Sequence, residues 1–173
     1  MCDFAEVRDA LVYALSRLYE ADSHLLLKDV NERSITHCLA MHVRERFPEN
    51  WDVDCEYNRS GRERKRLPID PVLVSSDDTT GKTVYPDIIV HHRGQTGRGA
   101  NLLVVEAKKA WAAGNFDDDR SKLVAFGCSE DFLYQFGAFL VLGKGGCQVE
   151  WYREGVATGE VEWIGQDRTE VQS

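Results

Sequence analysis

Two charged residues end an apolar run of this chain, where charge is costly. Leu102-Leu103-Val104-Val105 leads into Glu106-Ala107-Lys108. Four large aliphatic residues in a row bury both faces of a strand. Glu106 and Lys108 are two apart, so their side chains leave the same face. A carboxylate and an ammonium in such a place need a partner or a bound group. Upstream, Asp87 opens a second apolar strand, Ile88-Ile89-Val90, directly after Pro86. A hairpin closing about Gly94 and Gly99 sets Asp87 opposite Glu106. Facing residues on one side of a sheet have β-carbons about 5 Å apart. Two carboxylates that close repel unless a divalent cation lies between them.

Glu32 is drawn in by the helix that carries it. Residues 30–47 place Ile35, Leu39, Val43 and Phe47 on one stripe, with Asp29 or Asn31 as N-cap and Pro48 beyond the end. Glu32 shares that stripe, where an acid calls for a metal or a basic partner. The other reading is a first-turn acid facing the helix dipole.

The remaining elements must position these groups. Residues 4–21 form a helix with Phe4, Val7, Leu11, Leu15 and Leu18 on one face, and Asp22-Ser23-His24 breaks it. Residues 51–57 alternate as a half-buried strand: Trp51, Val53, Cys55 and Tyr57 point one way, Asp52, Asp54 and Glu56 the other. The polar stretch 58–83 exceeds an ordinary loop and suggests a functional or mobile segment. Strands at 85–92 and 101–108 form the hairpin. A third helix covers 117–126, begun by aspartates at its positive end. Strands at 136–142, 148–153 and 161–164 complete the chain, with glycine turns between them. The pattern is one α/β domain over residues 1–173, a mixed sheet flanked by helices.

Composition bounds the partners. No apolar run approaches the roughly 20 residues that span a bilayer, and the first residues lack a secretory pattern. Five cysteines, odd in number and without a CxxC pair, signal neither a disulfide framework nor a zinc site and suit a reducing cytoplasm. The net charge of −8 opposes binding of nucleic acid over the whole surface. The charge is uneven, however. Arg59, Arg62, Arg64, Lys65 and Arg66 gather in one loop that could meet a phosphate backbone, or be a solvated connection.

Other groups are set aside. His91 and His92 point to opposite faces, His37 and His42 are poorly spaced as ligands, and His24 sits in the break, so all five histidines read as structural. The glycine runs are turns rather than phosphate loops. Asp117, Asp118 and Asp119 read as helix-capping acids. Trp111, Trp151 and Trp163 could stack on bases, but packing in the core or at an edge is the reading taken. Glu63-Arg64-Lys65 repeats the Glu-x-Lys spacing without a buried strand before it and is rejected.

Pro86-Asp87, with Glu106-Ala107-Lys108 ending the next apolar strand, resembles the PD-(D/E)xK nuclease superfamily, the restriction-endonuclease-like fold. The helix bearing Glu32, the helix bearing Asp119, Arg120 and Lys122, and the apolar strand 136–142 are similar to the rest of that core, with its αβββαβ order. The resemblance implies a hydrolase that cuts phosphodiester bonds with Mg²⁺, for which Mn²⁺ substitutes. It implies Asp87, Glu106, Lys108 and Glu32 as catalytic residues. Asp87, Glu106, the backbone carbonyl of Ala107 and Glu32 would be the metal ligands. Lys108 would orient or deprotonate the attacking water. Lys122, with the basic loop, would contact nucleic acid. DNA is favoured over RNA, and a homodimer or partner protein would supply specificity. A binding or assembly subunit with a weak or inactive site is the alternative from another class, as is a structural ion pair of Lys108 with Glu106 or Asp87.

Overall fold

The computed structural model describes residues 2–57 and 85–165, with the backbone of 59–60 and 63–64. Helix α1, Phe4–Ala21, starts at a capping box in which Asp3 and Glu6 each bind the other's backbone N–H. Its buried face is Val7, Ala10, Leu11, Ala14, Leu15 and Leu18. The chain does not simply break at Asp22. A short α2, Ser23–Leu27, buries Leu26. Helix α3, Glu32–Arg44, is capped by Asn31, whose side chain accepts from Ser34 N, and buries Ile35, Leu39 and Val43.

Six strands form the main sheet: β1 (Asp52–Cys55), β4 (Ile88–His91), β5 (Asn101–Lys109), β6 (Phe136–Leu142), β7 (Gly146–Arg153) and β8 (Val156–Gly165). They lie side by side in that order. All pairs are antiparallel except β5 with β6, which run parallel across helix α4, Phe116–Cys128. A separate two-stranded pair joins β2 (Arg59–Ser60) to β3 (Glu63–Arg64). This is a mixed α/β sheet with helices on its faces: α1 and α3 pack on one, α4 on the other.

The β4–β5 register matches the expectation. Ile88, Ile89 and Val90 face Val105, Val104 and Leu103, and the register shifts only beyond Val90. Two sequence readings are corrected here. Strand β1 stops alternating at Glu56, whose φ of 49° is left-handed, and Tyr57 is thereby packed with the α4-side cluster rather than with Val53 and Cys55. Strand β8 begins at Val156 instead of 161. It is an edge strand held by its ladder to β7, so Ala157, Thr158, Gly159 and Glu160 extend it without an apolar pattern.

Helix α4 is docked closely. A β-carbon on Gly127 would lie 2.0 Å from the backbone nitrogen of Gly155 in the β7–β8 turn, so only glycine allows this approach.

Candidate cation and phosphate site

Alternation along β5 sends Leu103, Val105 and Ala107 into the α1–α3 side and Val104 into the α4 side. Glu106 shares the face of Val104. It meets Lys122 from α4, with Nζ 3.4 Å from Oε2, and is 1% exposed. Its other oxygen, Oε1, is buried and has no hydrogen-bond partner among the described residues. Asp87 lies just ahead of β4, and its Oδ2 accepts from Ala107 N at 2.8 Å. A side chain thus closes the ladder where the β4 backbone ends. Pro86 supports the turn, with its carbonyl accepting from Glu56 N.

Burial raises the Asp87 pKa from 3.8 to about 6, against the Ala107 hydrogen bond and the charge of Lys108. Burial likewise raises Glu106 well above the ordinary glutamate value, and the nearby charge of Asp87 adds to it. Burial is the larger cause in both, and the charges of Lys108 and Lys122 pull the other way.

Lys108 reaches Glu32 Oε1 at 3.0 Å and lies 3.8 Å from Asp119 Oδ2. Burial opposes its charge, but the Glu32 hydrogen bond and the charge of Asp119 prevail and raise its pKa. The structural pair expected as an alternative, Lys108 with Glu106 or Asp87, is replaced by these two contacts. Glu32 also accepts from Lys109 N, so both its oxygens serve the exit of β5. Its place is therefore beside the lysine rather than merely at a helix dipole.

Asp119 corrects the view of the three aspartates as capping acids. Asn115 caps α4, its side chain accepting from Asp117 N, while Asp119 is buried and binds Lys122 at 2.6 Å. The signal was in the helical period: Asp119 falls on the same face as Leu123 and Phe126, both buried. Lys122, expected to reach outward to nucleic acid, is held by two buried acids. Arg120 is turned to Glu150 through two hydrogen bonds of 2.8 Å.

His42, His91 and His92 are engaged elsewhere, His42 with Asp22. His91 Nε2 is 2.8 Å from Asp54, which also pairs with Arg93, and His92 stacks on Trp51. Trp151 is core and Trp163 is half-buried, but Trp111 is 39% exposed, with Nε1 bonded to Asp29. Of the basic loop, the structure describes only the Arg59–Arg64 and Ser60–Glu63 backbone pairing. The side chains of Arg59, Arg62, Arg64, Lys65 and Arg66 lie outside the described residues.

Among the described residues, no group of three or more His, Cys, Asp and Glu is arranged to hold a metal ion. Asp87 and Glu106 are two oxygen donors of the kind such an ion takes, and Glu106 Oε1 has no hydrogen-bond partner among the described residues. No helix among the described residues is long and apolar enough to cross a membrane. In comparisons with family models, curated proteins and solved structures, nothing matches this chain.

Proposed function

We propose that the protein is a divalent-cation-dependent nuclease of the restriction-endonuclease-like class, acting on DNA. The observation that carries this reading is Glu106: a wholly buried carboxylate with one unpartnered oxygen, beside Asp87 and at the end of the strand that also projects Lys108. Asp87, Glu106 and the Ala107 carbonyl would hold Mg²⁺ or Mn²⁺. The ion supplies a polarised phosphate and a water of lowered pKa. Lys108, half-buried and clamped by Glu32, holds positive charge where the phosphoryl oxygens gain negative charge. Glu32 positions that ammonium. The basic loop 59–66 would bind the phosphate backbone, and a second copy or a partner protein would select the site. A reducing cytoplasm belongs to the same reading and accords with the five free cysteines.

The test is nicking of supercoiled plasmid with Mg²⁺ and with EDTA, beside single-stranded DNA and RNA. Cutting that EDTA stops and that Lys108→Ala loses supports the reading, and the preferred substrate decides between DNA and RNA. Intact nucleic acid of every form, with either cation, overturns it.

One observation favours a second reading. Lys122 already pairs with Glu106 and Asp119, and Lys108 with Glu32 and Asp119. A cluster closed by its own lysines, on a chain of net charge −8, also suits an assembly subunit with an inactive site. It requires intact plasmid and a melting temperature insensitive to Mn²⁺.

A further inference from the structure

Asp119 and Lys122 stand one turn apart on α4, outside the strands that carry the paired carboxylates. Lys122 Nζ is 2.6 Å from Asp119 Oδ1 and 3.4 Å from Glu106 Oε2. Asp119 and Glu106 are 4% and 1% exposed. One ammonium is therefore shared unequally between two buried acids, one from the helix and one from the strand. Lys108 approaches the second oxygen of Asp119 at 3.8 Å. We propose that Lys122 is the internal counter-ion of the cation site: it holds Glu106 when no divalent ion is bound and retreats onto Asp119 when one arrives.

This rests on the reading of Asp87 and Glu106 as cation ligands. An ammonium and a divalent ion a few ångströms apart repel, and more strongly beside carboxylates as buried as Glu106 and Asp119. The tighter Asp119 contact gives the ammonium a position it already half occupies, so the exchange needs only a side-chain movement. Without Lys122, the metal-free fold would keep Glu106 beside Asp119 with its nearest positive charge gone. The lysine thus has two effects of opposite sign: it stabilises the metal-free protein and weakens the metal complex.

Calorimetric titration of Mn²⁺ into wild type, Lys122→Met, Lys122→Gln and Asp119→Asn tests this, with melting recorded in EDTA and in Mn²⁺. Both lysine variants should bind Mn²⁺ at least about tenfold more tightly. They should melt lower in EDTA and regain more on adding Mn²⁺ than wild type does. Asp119→Asn leaves the ammonium to Glu106 alone and should bind Mn²⁺ more weakly. Lys122→Gln carries the test if Lys122→Met does not fold in EDTA. Binding by the lysine variants but not by wild type also supports the proposal. Unchanged or weaker binding in both lysine variants, with wild type binding, overturns the counter-ion role and leaves the carboxylate reading standing. Absence of Mn²⁺ binding in every protein overturns the carboxylate reading, and the counter-ion role with it.

Discussion

The two faces of the sheet are built to different rules. Under α1 and α3 lies an unbroken apolar layer, from Val7, Leu11 and Leu15 through Ile35 and Leu39 to Val105 and Leu140. Under α4 a smaller cluster around Phe126, Phe132 and Phe139 gives way, toward the end of β5, to Glu106, Asp119, Lys108 and Lys122. The first face gains from every side chain it buries. The second gives up apolar contact over the first turns of α4 to hold charges that stabilise little on their own. A sheet can carry such charges because its other face secures the fold.

Truncating the secure face should have the largest effect. Leu15→Ala removes a fully buried side chain from the layer and should cost roughly 2–5 kcal/mol in denaturant unfolding. Mn²⁺ affinity of the folded protein should stay the same. A negligible loss would mean that the layer collapses to fill the space and that the contrast between the faces is overstated.

Lys108→Ala probes the other face. Plasmid cleavage should fall by about 10²–10³-fold, while the melting temperature and Mn²⁺ binding change little. A variant that cuts at the wild-type rate removes Lys108 from the reaction, and one that unfolds moves it to the structural side of the comparison.

Asp87→Asn sharpens the contrast through pH. Between the ordinary aspartate value of 3.8 and about 6, folded Asp87 binds a proton that the unfolded chain has released. Stability of the metal-free protein therefore falls as pH rises through that window and stays lower above it. The asparagine keeps an acceptor for Ala107 N without that loss. Measured in EDTA, the variant should melt above wild type at neutral pH, with the gap closing toward about pH 4. Parallel melting curves across pH would place the Asp87 carboxylate in an environment no harsher than water.

The smallest effect belongs to the far end of the secure face. Asp3→Ala removes half of the α1 capping box and should cost about 1 kcal/mol in thermal unfolding, with no change in cation binding. A loss several times larger would show that α1 depends on its cap rather than on its buried stripe.

Much of the secure face is legible in the sequence because period alone determines it. The stripe of α1 and the run Leu102-Leu103-Val104-Val105 admit one burial pattern each, and the glycine-flanked hairpin fixes the register that brings Asp87 to β5. Glu32 is legible for the same reason, being an acid on an apolar stripe. The charged face is harder to read, since its groups come from elements with weaker patterns. Asp119 is hidden among three consecutive aspartates, two of which are exposed and suit a helix start. Tyr57 departs from its expected face because the left-handed backbone of Glu56 turns the chain over just before it, and no side-chain period announces that. Helix α2 escapes notice because five residues are too few to show a stripe.

The contacts of β5 with β4 and with α3 differ in the length of chain they close. Its pairing with β4 is a local hairpin, and the Asp87–Ala107 contact spans only 20 residues. The Lys108–Glu32 contact spans 76 residues and needs α3 seated on the sheet. Closing the longer span costs more chain entropy before any contact repays it. The acid pair thus assembles with the hairpin, and the lysine clamp only with docking of the amino-terminal helices. The reverse holds for local opening: lifting α3 unclamps Lys108 while the amide of Ala107 stays protected from exchange by Asp87.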